Sequence, residues 1–202
     1  MSRLRSLLVG GSDGNARLTA ATGAVLVVLL AAEGLTLLGG VQGLLVPHFF
    51  IGLLLIPPVL LKLGSTGWRM ASYYRRIDEY VRRGPPQLLL RMLVAPVLVV
   101  ATVVLFASGI AAAWTGQRGL LLGLHKASFV VWGVAFGVHF LAHALKLPRL
   151  VRFDWWDADG LGGRRLRQYL LAGSLVVGLV LAVAAFPLAH HWHPHFGFDD
   201  GE

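Results

Sequence analysis

Five long apolar segments, near residues 18–38, 46–63, 88–113, 119–147 and 168–189, constrain this chain more than any other feature. Each can cross a hydrocarbon core ~30 Å thick, which takes about 20 residues of helix. Lipid offers no partner to an unpaired amide, so such segments fold as helices that satisfy their own backbones. Only 14% of the 202 residues are charged, against about 25% for a soluble domain. The expectation is an all-α integral membrane bundle of five transmembrane helices, forming one membrane domain over 1–202. Pro57-Pro58 predicts a kink in the second helix, because each proline removes an amide donor. The first segment begins late and is longer than a signal-peptide core, so it reads as an uncleaved anchor.

Of eighteen lysines and arginines, all but Arg118 and Lys126 flank one set of segment ends. The positive-inside rule makes that side cytoplasmic, which puts the N-terminus and the 64–87 loop inside and the C-terminus outside. The expected location is the inner (cytoplasmic) membrane, as a multi-pass protein. A net charge of +8 is then a signal of topology. It is no sign of nucleic-acid binding, since no recognition module accompanies it. With no cysteine, the chain has no disulfide, thiolate zinc site, iron–sulfur cluster or thioether-linked haem. No phosphate-binding loop, dinucleotide fingerprint or nucleophile triad is present.

Histidine carries the functional signal. His125, His139 and His143 lie on the fourth segment and His48 opens the second. Ionisable side chains at membrane depth cost about 3 kcal/mol on insertion scales and mark functional sites by default. The fourteen residues from His125 to His139 make about four helical turns, so both rings share a face roughly 21 Å apart. His48 and His125 fall at similar depth on different helices, as two axial ligands of one haem must. Neutral imidazoles are good iron ligands, and a pair of them suits electron transfer. Gly52, one turn from His48, leaves space for a haem edge, while Phe129, Trp132 and Phe136 supply flat apolar walls. The competing reading is packing: aromatic stripes fill cores, and a lone membrane histidine can simply bond a carbonyl.

The segment from His125 to His139, HKASFVVWGVAFGVH, resembles the haem-binding helix of membrane-embedded b-type cytochromes with four or five helices. These are the electron-carrying subunits of respiratory hydrogenases, formate dehydrogenases and related reductases. HFFIGLLLIPPVLLK, from His48 to Lys62, matches that pattern at its first position only. KLGSTGWRMASYY (Lys62 to Tyr74) and GPPQLLLRMLVAP (Gly84 to Pro96) are similar to an actinobacterial membrane family described as cytochrome b-like. The likeness covers about 130 residues. It implies haem b with iron ligands His48, His125 and His139, and a quinone or redox protein as partner. One haem is expected between His48 and His125. A second, at the other end of the same helices, would have Lys62 where the family has histidine. Lys62 can instead neutralise a propionate or lipid phosphate, and His143 can act behind His139.

Glu33 is the one acid inside a segment. It reads first as a hydrated carboxylate at the interface. A hydrogen bond to a ligand histidine and a role at a quinol site are its alternatives. His190, His191, His193 and His195 form a weak metal site in the exposed tail 190–202. WRMASYYRRIDEYVRRGPP reads as an interfacial amphipathic helix on anionic lipid. The reading of another class is a haem-free membrane scaffold or small permease-like protein whose histidines bind metal or protons. A reporter fused after Glu202 should be active only outside the cytoplasm. Cytoplasmic activity alone would overturn the orientation or the count of five.

Overall fold

A computed structural model of the chain describes residues 10–41, 43–82, 84, 90–116, 119–144 and 162–187. The tail histidines His190, His191, His193 and His195 lie outside these. The helices are α1 (Gly11–Leu38), α2 (Leu45–Tyr74), the short α3 (Asp78–Arg82), α4 (Ala95–Thr115), α5 (Leu120–Ala144) and α6 (Arg164–Ala184). A π-helical turn, Leu90–Val94, leads into α4. Among the described residues there is no strand. Five of the helices are long and apolar enough to cross a membrane, and the chain is a multi-pass membrane protein.

Packing follows membrane rules. Many buried positions carry small residues such as Ala20, Thr22, Ala101, Ser128 and Ala182, while Val100, Val130, Val134, Leu141 and Val180 are exposed. Lipid is as apolar as a valine side chain, so large aliphatic groups gain little by facing inward. Small residues instead let backbones approach. Helices α1, α2 and α6 form one group and α4 with α5 a second. Across the two groups, α2 and α4 make the main approach.

Three elements exceed the expected segments for the same reason, local polar satisfaction. Helix α1 starts at Gly11 because its first turns have partners. Ser12 donates its amide to the Glu79 carboxylate, Asn15 donates to the Ser65 carbonyl at 3.0 Å, and Thr19 donates to the Ser65 hydroxyl at 2.9 Å. Helix α2 runs on to Tyr74, so the first half of the stretch expected to lie flat on lipid is the continuation of a membrane helix. The chain breaks at Arg76, which has φ 55°, and only Asp78–Arg82 forms a separate helix. Helix α6 begins at Arg164, where the buried Arg167 donates to the Gly162 carbonyl at 2.8 Å.

Pro57 and Pro58 sit inside α2, and Pro58 is fully buried. Lacking an amide, Pro58 leaves the Leu54 carbonyl without its usual helical donor. Helix α6 covers that spot with Gly178, where a Cβ would stand 2.5 Å from the Leu54 oxygen. The glycine thus lets α6 close over a carbonyl that proline has freed. Gly178→Val should force the helices apart and lower stability by roughly 1–3 kcal/mol. Thermal unfolding in detergent reads this, and an unchanged midpoint would contradict the close approach.

Candidate functional site

Between the two helix groups lies a cavity of about 810 Å³. It falls within the roughly 300–1,000 Å³ of small-molecule and cofactor pockets. Every membrane residue singled out from sequence lines it: His48, Gly52 and Lys62 from α2, and His125, His139 and His143 from α5. They are not equally close to one another. His48 and His125 face each other at one end, with ring centroids 6.2 Å apart and planes at 88°.

Each ring is held by its Nδ1. His48 Nδ1 lies 2.8 Å from Glu33 Oε1 and 3.1 Å from Thr36 Oγ1. The Thr36 hydroxyl donates to the Glu33 carbonyl at 2.6 Å, so toward His48 its oxygen accepts. Nδ1 therefore carries the proton, shared between a carboxylate and a hydroxyl oxygen. His125 Nδ1 lies 2.9 Å from the Leu105 carbonyl, which can only accept, so that nitrogen is protonated too. In the neutral form of each ring the lone pair is left on Nε2, the atom that binds metal when Nδ1 is anchored in this way. Glu33 is thus a partner of His48, the alternative reading of its place in the sequence. The hydrated carboxylate expected first is not what forms.

A glycine makes room for the His125 ring. A Cβ at Gly109 of α4 would lie 2.8 Å from His125 Nδ1 and 2.9 Å from its Cε1. The His125 ring reaches the Leu105 carbonyl through the space that Gly109 leaves. Gly52 faces Glu33, with 3.7 Å between the position of a Cβ and Oε1. One wall of the cavity is an aromatic ladder on α5. Phe129 stacks on Trp132 at 6.3 Å, Trp132 on Phe136 at 4.8 Å, and Phe136 on Phe140 at 5.9 Å. Trp132 Nε1 donates to Thr102 Oγ1 at 3.1 Å, which locks the middle rung to α4.

The other end is built differently. His139 and His143 stack on each other at 4.6 Å, and His143 Nδ1 donates to the His139 carbonyl at 2.9 Å. His139 Nδ1 is buried with no hydrogen-bond partner. Lys62 Nζ donates to the Thr19 carbonyl of α1 at 2.6 Å. Sequence reasoning missed Thr36, Gly109, Thr19 and the Leu105 carbonyl. Thr36 was legible as Glu33's neighbour one turn on. A main-chain carbonyl such as that of Leu105 leaves no trace in the residue types.

Comparison of the chain with protein families, with characterised proteins and with solved structures gave no match. Glu33 and His48 should behave as one unit in a double-mutant cycle of Glu33→Leu and His48→Leu. Their coupling should be about 0.5–3 kcal/mol, as for hydrogen-bonded neighbours. Strictly additive shifts in unfolding free energy would contradict the contact.

Proposed function

We propose that the chain is a membrane-embedded b-type cytochrome. It holds haem b between His48 and His125 and passes electrons to or from a quinone or a redox partner protein. The observation that carries this reading is the facing pair of imidazoles. Two rings that each bind one metal through Nε2 at about 2.0 Å have centroids roughly 6 Å apart. The 6.2 Å separation of His48 and His125 suits that arrangement, and both lone pairs are on the correct nitrogen.

The donor set favours a macrocycle over a protein-held ion. Metal ions bound by side chains alone take three or four of them. Among the described residues, no three His, Cys, Asp or Glu side chains form such a group. A porphyrin would bring most of the iron's donors itself, so that His48 and His125 would be enough to hold it. Protein interiors pack at a density of about 0.74, so a cavity of about 810 Å³ between membrane helices suits a large apolar occupant. The resemblance to haem-bearing membrane cytochromes points the same way.

Haem held by His48 and His125 would supply one-electron chemistry. The chain's own residues set the conditions. His48 and His125 hold the group, and Leu105 and Glu33 orient their rings. The Glu33 carboxylate on His48 Nδ1 makes that imidazole a stronger donor, which favours the oxidised state. The ladder from Phe129 to Phe140 keeps water from the wall it covers. In the orientation expected from the cations, this end faces outward from the cytoplasm.

Protein purified from haem-replete cells should give the reduced-minus-oxidised spectrum of a low-spin, non-covalent b-type haem. His48→Ala and His125→Ala should each remove it. Gly109→Val should do so as well, by displacing the His125 ring, while Glu33→Gln should keep the haem and raise its potential. Colourless wild-type protein of normal yield would overturn the reading, as would low-spin haem surviving in both histidine variants. The first of these outcomes would favour a haem-free protein whose histidines bind metal or protons.

A further inference from the structure

The cavity extends well past the His48–His125 pair. Along α2 its lining runs from Leu45 to Thr66, roughly 30 Å at about 1.5 Å per residue. Lys62, His139 and His143 sit at the far end, about 21 Å along the helices from the facing imidazoles. Glu33 is the only acid among the described lining residues, and it belongs to the His48 end. Among the described residues, the far end thus gathers an ammonium and two imidazoles with no carboxylate. Lys62 is held by a single carbonyl, and His139 Nδ1 is buried without a partner.

An ammonium taken out of water costs several kcal/mol unless an opposite charge accompanies it. The described lining residues offer none here. An occupant of this end that carries an anion would meet that need. The surrounding wall is apolar, with Leu63, Phe140 and Ala144 beside the polar cluster, so that occupant has an apolar body as well as a charged head.

We propose that the Lys62–His139 end of the cavity binds an anionic amphiphile, with its phosphate or carboxylate head on the Lys62 ammonium. The apolar part lies along α2 and α5. The inference goes beyond the cytochrome reading and does not depend on it. A second haem would also carry carboxylates, but a low-spin one would need a second protein ligand besides His139. The α2 residue opposite His139 is Lys62, whose Nζ is already committed to Thr19. A charge-bearing Lys62 suits an anion better than iron.

The test uses the full chain in mild detergent. Native mass spectrometry measures bound lipid, and titrations use phosphatidylglycerol in nanodiscs, phosphatidylcholine in nanodiscs, oleate, or inorganic phosphate alone. One anionic amphiphile per chain is expected. Exchange by phosphatidylglycerol assigns a phosphate head, and exchange by oleate assigns a carboxylate. Phosphatidylcholine and inorganic phosphate should not displace it, since the first has no net charge and the second no apolar body. Lys62→Met should weaken binding at least about ten-fold, the loss expected for one charge-assisted hydrogen bond, and Lys62→Arg should restore it. His139→Leu should weaken binding as well and gives a second reading where Lys62→Met assembles poorly. His48→Ala should retain the amphiphile whether or not haem is bound, which separates failure of this proposal from failure of the haem reading. Equal binding of phosphatidylcholine and phosphatidylglycerol would overturn it. So would unchanged affinity in both the Lys62 and His139 variants, or two haems per chain with a spectrum altered by Lys62→Met.

Discussion

Two helices from separate packing groups are brought to one point by the imidazoles of His48 and His125, whose centroids are 6.2 Å apart. The rest of the architecture can be traced from that approach. Each ring must be turned so that Nδ1 meets an acceptor and Nε2 is left free. Glu33 and Thr36 of α1 do this for His48, and the Leu105 carbonyl of α4 does it for His125. Four helices are thereby committed to the geometry of two side chains. The fifth, α6, braces α2 from behind through Gly178 and the carbonyl that Pro58 leaves open.

The cavity is a consequence of how the helices are grouped. Small residues draw α1, α2 and α6 together and α4 against α5, while the faces turned toward each other carry Phe129, Trp132 and Phe136 on one side and Leu55, Ile56 and Val59 on the other. The ionisable side chains lining this apolar space lie toward its two ends. One end has a carboxylate behind an imidazole, and the other has an ammonium without a carboxylate. This asymmetry gives one cavity two chemically different ends.

Much of this was legible in the residues. Hydropathy located five helices because the bilayer imposes their length. Helical periodicity put His125, Phe129, Trp132, Phe136 and His139 on one face because α-helices in lipid keep a regular repeat. Boundaries were less legible, since they depend on partners distant in sequence. Asn15 is helical because Ser65 accepts from it, and α2 continues to Tyr74 although its last turns are polar. Glu33 was visible as an anomaly, but its tie to His48 depends on how α1 packs on α2. Gly109 looked like any small residue in a membrane helix until the ring of His125 was placed against it. Lys62 stood out by breaking a histidine pattern, and only its bond to Thr19 shows how it is held.

The angle between the two imidazole planes gives the most direct test of the central claim. At 88° the rings are close to perpendicular, and if they hold haem as proposed, that arrangement would leave two iron d orbitals nearly degenerate. Electron paramagnetic resonance of the oxidised protein at low temperature should show the highly anisotropic low-spin signal of perpendicular bis-histidine ligation. It should vanish in both His48→Ala and His125→Ala. A high-spin signal, the rhombic low-spin signal of coplanar imidazoles, or the same signal in either variant would contradict the account.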